Sequence, residues 1–588
     1  MKLQTATALA IAAVDSVAAG SLQGLGGSKK RTACGVSCPS GSQFELISAQ
    51  EWISAANPGW NVGNTLDALP NEGSWNNPPL QGSTLDTVKA SGYKSVRIPV
   101  TYTEHFISGS PEWKINPTWL QRVSDVVDMA TSRGLYAITN IHHDSWAWAD
   151  VTKSNANQTQ IQERFYASWL QIGKTLACKS SLVALEPINE APGNSAADAD
   201  NLNKLNDLFL KALADSGGFN AKRVVTLSGP GMGADKVHFF RRPTNMTNPW
   251  AIQFHYYSPY DFIFGVWGKT VWGSEADKAA VAADLAIVRN NFTDVPILLG
   301  EFQAAQTHLE PAARWKWFDH VVRTCQSLSI TTAMWDNGED NLNRATGLWR
   351  DRLAVDITMA AVKGVANSLA DSTVDASATR QETSAYVFNR AGIDVGDRTL
   401  PFILNGNTFK SLAVGETVLE ERRDYTIAGS SVTLKQSFLS RYLGALVEPG
   451  TKANVTVRFS SGVPSQIELV QWRVPLLAST SSLARDVPSG SELGIPIEWR
   501  GLHRVAAVKI AASVDGAYLV DDWTQWLPEL QKGRGTYNSH WNFDNNRVIL
   551  TRAVVDSVIA SGKNTTFIFE FFPREVGNGN ISEYTLLV

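Results

Sequence analysis

The chain has 588 residues, a net charge of −4, 44% hydrophobic and 18% charged residues. That is a globular composition, too long for one ordinary core, so two or three domains are expected. No basic run is long enough for nucleic acid, and no segment beyond the N-terminus is apolar over the roughly 20 residues a membrane span needs, so a soluble monomer with neither partner is expected. The 20 tryptophans exceed ordinary usage; they furnish core, and they also suit a protein that stacks flat rings against a ligand.

In chain order, residues 1–19 (MKLQTATALAIAAVDSVAA) combine a Lys, a short apolar stretch and small residues, as in a secretory signal cut after Ala19. Residues 20–42 are rich in Gly, Ser and Lys and read as a flexible leader. A secreted, extracellular protein follows, and the Asn-x-Ser/Thr sequons at Asn157, Asn245, Asn291, Asn454, Asn564 and Asn580 suit a glycoprotein. Secretion permits disulfides. Cys34, Cys38, Cys178 and Cys325 allow three pairings, and a Cys34–Cys38 bridge would close a small loop.

From 43 to 368, short apolar runs near 59–63, 94–100, 136–142, 182–188, 223–228, 251–257, 296–301 and 331–336 alternate with segments of helical period. In TWLQRVSDVVDMATSRG, for example, Leu120, Val123, Val126, Val127 and Ala130 share one face. Eight such units predict an α/β fold, a (β/α)8 TIM barrel, whose active site forms at the C-terminal strand ends. Residues 369–380 are small and polar, like a linker. Short alternating strands then predict two β-sandwich, Ig-like domains at 381–472 and 473–588.

The strand ends carry the chemistry. LEPINEAP (185–192) runs from an apolar strand into Asn189 and Glu190, and strand seven ends in Glu301. Two carboxylates facing one mouth are what glycosidic cleavage needs: one protonates the leaving oxygen, the other attacks the anomeric carbon or activates water. Arg97 and Tyr257 are donors expected to hold Glu301 ionised. Asn189 can hydrogen-bond a sugar 2-OH.

GWNVGNTLDA, VRIPVTY, NIHHD, INEAP, HYYSPYDF, LLGEF and MWDNGED, in this order, resemble glycoside hydrolase family 5, and the first and fifth resemble its subfamily 4. The resemblance spans about residues 43–365. It implies a retaining endo-β-1,4-glucanase with Glu190 as acid/base and Glu301 as nucleophile. It places supporting roles on Arg97, His142, Asn189, His255 and Tyr257, and on Trp335 as a sugar platform. Two departures, NEAP where NEP is usual and GEFQ where Gly commonly follows the Phe, alter no reacting group. The tail resembles an immunoglobulin-like module followed by carbohydrate-binding module family 46. The expected partner is a β-glucan such as cellulose, mixed-linkage glucan or xyloglucan, with mannan as the rival backbone and a non-catalytic glycan-binding barrel as the rival class. No cofactor is expected.

Asn61, His143, Trp75 and Trp146 join Trp335 as expected substrate contacts. For Trp75, Trp146, Trp148 and Trp267, stacking on sugar and packing within a loop are open alternatives. Trp523, Trp526 and Trp541 are candidate sugar contacts in the tail, with core burial the alternative for each. No metal is expected, because adjacent strand residues such as His142 and His143 point to opposite faces. Glu186 shares the inward face with Glu190; tuning the site and serving as a buried, paired acid are both open to it.

Overall fold

A computed structural model describes residues 35–244, 246–577 and 579–588. The expected signal at 1–19, Cys34 and the Asn245 sequon lie outside those residues.

Eight parallel strands close in sequence order into a barrel: β1 (Gly59–Asn61), β2 (Ser95–Ile98), β3 (Tyr136–Thr139), β4 (Val183–Leu185), β5 (Val225–Leu227), β6 (Trp250–Tyr256), β7 (Ile297–Phe302) and β8 (Ile330–Met334). All eight expected runs are present. Several stop two or three residues early: β3 ends at Thr139 rather than 142, β4 at Leu185 rather than 188. The residues beyond are buried and still bond across at intervals, His142 N to the Val100 carbonyl at 2.8 Å and Asn189 N to the Ile141 carbonyl at 2.9 Å, without a continuous ladder.

The surrounding helices start where the sequence caps them. Asn116 accepts the amide of Thr118 ahead of Pro117–Thr131, with proline in the first turn, where its missing N–H costs nothing. Ser195 with Asp198 and Ser274 with Asp277 form capping boxes for Ala196–Ser216 and Glu275–Asn291. On Pro117–Thr131 the face of Val123, Val126, Val127 and Ala130 is buried, while Leu120 is at its rim. The base of the barrel is plugged by helix Ala49–Ala55, whose Trp52 and Ile53 pack on Ile138, Ala184, Val224, Ala251, Leu298 and Ala333.

The leader is tied down over its second half, against the expectation of flexibility. Val36 bridges to Gly217, and Cys38 is joined to Cys178 in a disulfide. Gly217 has φ +82°, and a Cβ there would stand 2.6 Å from the Val36 nitrogen, so only glycine lets the two backbones meet. This pairing replaces the Cys34–Cys38 loop; Cys325 is free and buried.

Behind the barrel, a four-stranded sheet (369–370, 398–403, 431–434, 425–428) faces a five-stranded one (386–390, 465–472, 450–459, 409–414, 417–418). The linker expectation fails at 369–370: Leu369 and Ala370 are buried and pair with Ile403 and Phe402. A second pair of four-stranded sheets follows, between 476 and 587. It also holds helix Arg552–Ser561, which buries Val554, Val555 and Val558. Its core is separate from the one the barrel shares with the first sandwich.

The last unit is seated on the barrel. Arg574 donates to the Gly268 carbonyl at 2.8 Å and to Thr270 at 3.1 Å, and Thr270 donates to Gln381 at 2.7 Å. The loop after β6 is therefore gripped by both C-terminal units. The Asn580 sequon is buried in the folded chain.

Candidate active site

The mouth of the barrel gathers Glu190, His255 and Glu301. One ligating atom from each lies within 4.8 Å of the others. Glu301 reaches this point through an irregular strand: β7 slips register against both β6 and β8 around Gly300–Glu301. Such a bulge re-aims a side chain. Gly300 is required there, since a Cβ would stand 2.4 Å from Gln253 Nε2. Glu190 sits beyond the end of β4 with φ +37°, an uncommon conformation for a non-glycine residue.

Arg97, fully buried on β2, organises the floor. Its Nη1 donates to Glu301 Oε1 and, at 3.0 Å, to Asn61 Oδ1. Its Nη2 donates to Asn189 Oδ1 at 2.8 Å. Glu186 takes Nε and Nη2, each at 2.7 Å. Tyr257 donates its hydroxyl to Glu301 Oε2 at 2.7 Å. His255 Nδ1 is 2.6 Å from Glu190 Oε1 and 3.6 Å from Glu301 Oε2.

The electrostatics differ in one respect from the sequence reading. Arg97 and Tyr257 do hold Glu301, yet burial outweighs them and raises its carboxyl above the usual range, with Glu190 adding to the rise and His255 and Arg97 opposing it. Burial works against the Arg97 charge, but Glu186 and Glu301 more than compensate, so it stays cationic. Burial, then Glu301 and Glu190, push the Tyr257 phenol far up, so it remains a donor. Burial and the neighbouring His143, Arg97 and His255 hold His142 well below its ordinary value, as a neutral ring.

Trp335 follows β8 and is 9% exposed, its ring parallel to that of His142 at 5.9 Å. Gly63 makes room for it: a Cβ there would stand 2.5 Å from the indole. His143 lies between Trp75 (5.2 Å) and Trp146 (4.9 Å), both more than two-fifths exposed. These three line one wall of the mouth, where indole faces can take the C–H face of a sugar. Trp148 resolves as loop packing: it donates to Asp144 and lies under Arg164.

One expected contact, Asn61, is corrected, and for Trp541 the core alternative holds. Asn61 is fully buried; its amide nitrogen donates to the carbonyls of Gly300, Ala333 and Met334 and its oxygen accepts from Arg97, so nothing is left for a sugar. Trp541 is fully buried in the core of the last unit and donates to the Gly535 carbonyl. By contrast Trp526 is 81% exposed, and Trp523 meets Trp267 edge-on at 4.4 Å, with Trp267 donating to Asp521 at 3.0 Å.

The premise against a shared ion at His142 and His143 also fails. Neither is on a strand, since β3 ends at Thr139, and their rings are 4.5 Å apart. With Asp67 they form a group whose ligating atoms fall within 4.8 Å. Asp67 is occupied by the amides of Asn64 and Thr65, and His142 Nδ1 by Asn140. Those two groups are thus committed to shaping the loop, while His143 Nε2 stands 3.4 Å from Asp67 Oδ2 with no hydrogen-bond partner among the described residues.

Sequence reading missed Asn140 and Gln253, which donate to Glu186 at 2.8 Å each. The signal was present. Each lies two residues before a histidine already singled out, Gln253 on β6 and Asn140 just beyond β3.

The cellulase description of glycosyl hydrolase family 5 matches residues 58–341, and carbohydrate binding domain X2 matches residues 381–469. Endoglucanase B of Paenibacillus lautus is 27% identical over 555 residues, 91% of this chain and 92% of its own length. Endoglucanase B of Clostridium cellulovorans is 30% identical over 311 residues, 50% of this chain and 69% of its own. A tri-modular subfamily 4 endo-β-1,4-glucanase from Bacillus licheniformis, solved with cellotetraose, superposes with a TM-score of 0.80 at 30% identity, covering 92% of this chain and 99% of its own. The chain belongs to glycosyl hydrolase family 5, as a subfamily 4 endoglucanase carrying a carbohydrate binding domain X2 behind its barrel.

Proposed function

We propose that this endoglucanase is secreted and cleaves β-1,4-glucans with retention, by double displacement. Glu301 attacks C1 while Glu190 protonates the leaving oxygen; a glycosyl ester of Glu301 forms. Glu190, now ionised, takes a proton from water as the water attacks C1 and frees Glu301. The observation that carries this reading is the closeness of the two carboxylates, with oxygens within 4.8 Å. That favours the retaining spacing of about 5–5.5 Å between carboxyl groups over the roughly 6.5–9.5 Å that leaves room for an inverting water. Asn189, held by Arg97, is the 2-OH anchor, and Trp335 is the platform. The reaction needs no metal or cofactor, because the two carboxylates supply both proton and nucleophile.

Cellulose, mixed-linkage glucan and xyloglucan are the substrates we assign, with Trp75 and Trp146 as wall contacts. The last unit is a family 46-like binding module that offers Trp523 and Trp526 to the polymer. Secretion is supported by the Cys38–Cys178 disulfide, which persists in oxidising compartments. The test is initial rates of the purified protein on carboxymethylcellulose, barley mixed-linkage glucan, xyloglucan, xylan and mannan, beside Glu301→Gln. Cleavage of glucans by the wild type alone is expected. Hydrolysis by Glu301→Gln at the wild-type rate would overturn the assignment.

A further inference from the structure

Glu186 touches neither wall of the cleft nor either expected bond-making atom, yet it has the most complete set of partners near the site. It is fully buried. Oε1 accepts from Arg97 Nη2 and Asn140 Nδ2; Oε2 accepts from Arg97 Nε and Gln253 Nε2. A carboxylate has about four acceptor positions, and all are filled by N–H donors, which leaves no place for a proton. Arg97 is equally spent. Its five N–H groups are taken by Glu186 (two), Asn189, Asn61 and Glu301.

We propose that Glu186 is a positioning residue for the nucleophile: it clamps the Nε/Nη2 edge of the Arg97 guanidinium so that Nη1 meets Glu301, and it shares the cation's charge so that Glu301 stays reactive. The inference rests on the reading of Glu301 as nucleophile. The clamp is a fork-to-fork contact, which fixes a guanidinium plane as well as its position. The same plane then aims Nη2 at Asn189 and Nη1 at Glu301. The charge argument is separate. One guanidinium faces two carboxylates, so neither is fully neutralised. A nucleophile paired alone with a buried arginine would be a weaker base and a poorer attacker.

The groups facing Glu301 are Arg97 from β2, Glu190 beyond β4, and His255 and Tyr257 at the end of β6, with Glu186 behind Arg97 and His142 near that guanidinium. Replacing Glu186 by glutamine removes one negative charge from this set. The Glu301 carboxylate is then favoured, its pKa falls, and the acid limb of the attack moves to lower pH. Glu186→Asp keeps the charge and shortens the reach, so it loosens the clamp and leaves the limb in place.

The experiment uses the full-length chain and a dinitrophenyl 2-deoxy-2-fluoro-β-cellobioside. Glu301 forms a bond to C1 as the C1–O bond breaks and dinitrophenolate leaves with the electron pair; no proton from Glu190 is needed. The inactivation rate constant is measured against pH, and the labelled peptide is mapped by mass. For Glu186→Gln we expect the acid limb to fall by on the order of one pH unit and the plateau to drop roughly 10-fold, as misplacement of a positioned group does. For Glu186→Asp we expect the limb of the wild type with a lowered plateau. A folded Glu186→Gln with the limb and plateau of the wild type overturns the proposal. If the glutamine variant does not fold, an aspartate variant with limb and plateau unchanged overturns it as well. A wild-type label on any residue other than Glu301 overturns instead the nucleophile assignment beneath it.

Discussion

The Nδ1 atom of His255 stands 2.6 Å from Oε1 of Glu190, and the ring's other nitrogen is buried with no partner among the described residues. Glu190 is therefore the group that orients this imidazole, and the imidazole in turn fixes the Glu190 carboxyl, as the proposed acid/base role requires. Glu190 has the greater freedom of the two carboxylates: its side chain is 23% exposed against 6% for Glu301. A proton donor must exchange with solvent between turnovers, whereas a nucleophile must not move.

Glu190→Gln should lower kcat on a glucan by about 10²–10⁴-fold, the usual worth of general acid catalysis. On dinitrophenyl cellobioside, whose leaving group needs no proton, the glycosylation step should be nearly spared, and added azide should speed turnover by attacking the ester in place of water. Steady-state and burst kinetics on the two substrates check this. Equal losses on both would contradict the acid/base role.

Glu301 should cost stability in exchange for reactivity. Its carboxyl is raised by burial, so the folded chain holds this proton more tightly than the unfolded chain does. Stability then declines as pH rises above the unfolded value of about 4.5 toward the folded one. Glu301→Gln should melt above the wild type at pH 7 to 8, with the gap closing below pH 4.5. Thermal melts across that range check it, and a lower Tm for the variant at pH 7 would contradict it.

The two tail tryptophans should separate cleanly. Trp541→Ala removes a fully buried indole from the core of the last unit and should cost about 3–5 kcal/mol. Trp526→Ala removes an exposed ring and should leave Tm within a degree or so, a surface change being worth within ~0.5 kcal/mol, while weakening retention on insoluble cellulose. Calorimetry and pull-down assays read the two effects.

His308 should make the barrel's contact with the last unit sensitive to acid. The ring lies 4.6 Å from that of Tyr537, and burial, helped by Arg504, lowers its pKa to about 3. The folded chain keeps it neutral while the unfolded chain protonates it below about 6.5. Its contribution is complete above that pH and is lost progressively as pH falls toward 3. His308→Phe retains a ring against Tyr537 and should show a shallower fall in Tm between pH 6.5 and 4. Parallel curves would contradict this.

The barrel was legible because strands buried on both faces are short apolar runs and the helices between them carry caps and a 3.6 period. The strand ends were read too long at β3 and β4, since Asn140 and Glu186 to Ile188 are buried like strand residues, yet among them only the Glu186 amide still bonds to a neighbouring strand, at the Thr139 carbonyl. Glu190, Glu301, Arg97 and Tyr257 follow from asking only what each strand end presents, and the fold brings the four together at the mouth. Asn61 was misassigned because its amide is consumed by carbonyls of β7 and β8, partners more than 230 residues away that no local pattern reveals. The tie between Cys38 and Cys178 was hidden for the same reason. Helix Arg552–Ser561 was within reach: Thr551 caps it, and Val554, Val555 and Val558 share a face.

The central claim is that Glu301 attacks C1 itself. The most direct test is the anomeric configuration of the first sugar released from a cello-oligosaccharide, followed by proton NMR before mutarotation. Release of the β-anomer, relaxing later toward the equilibrium mixture, is the result this account predicts. Initial release of the α-anomer would mean that water, and not Glu301, strikes the anomeric carbon, and would contradict it.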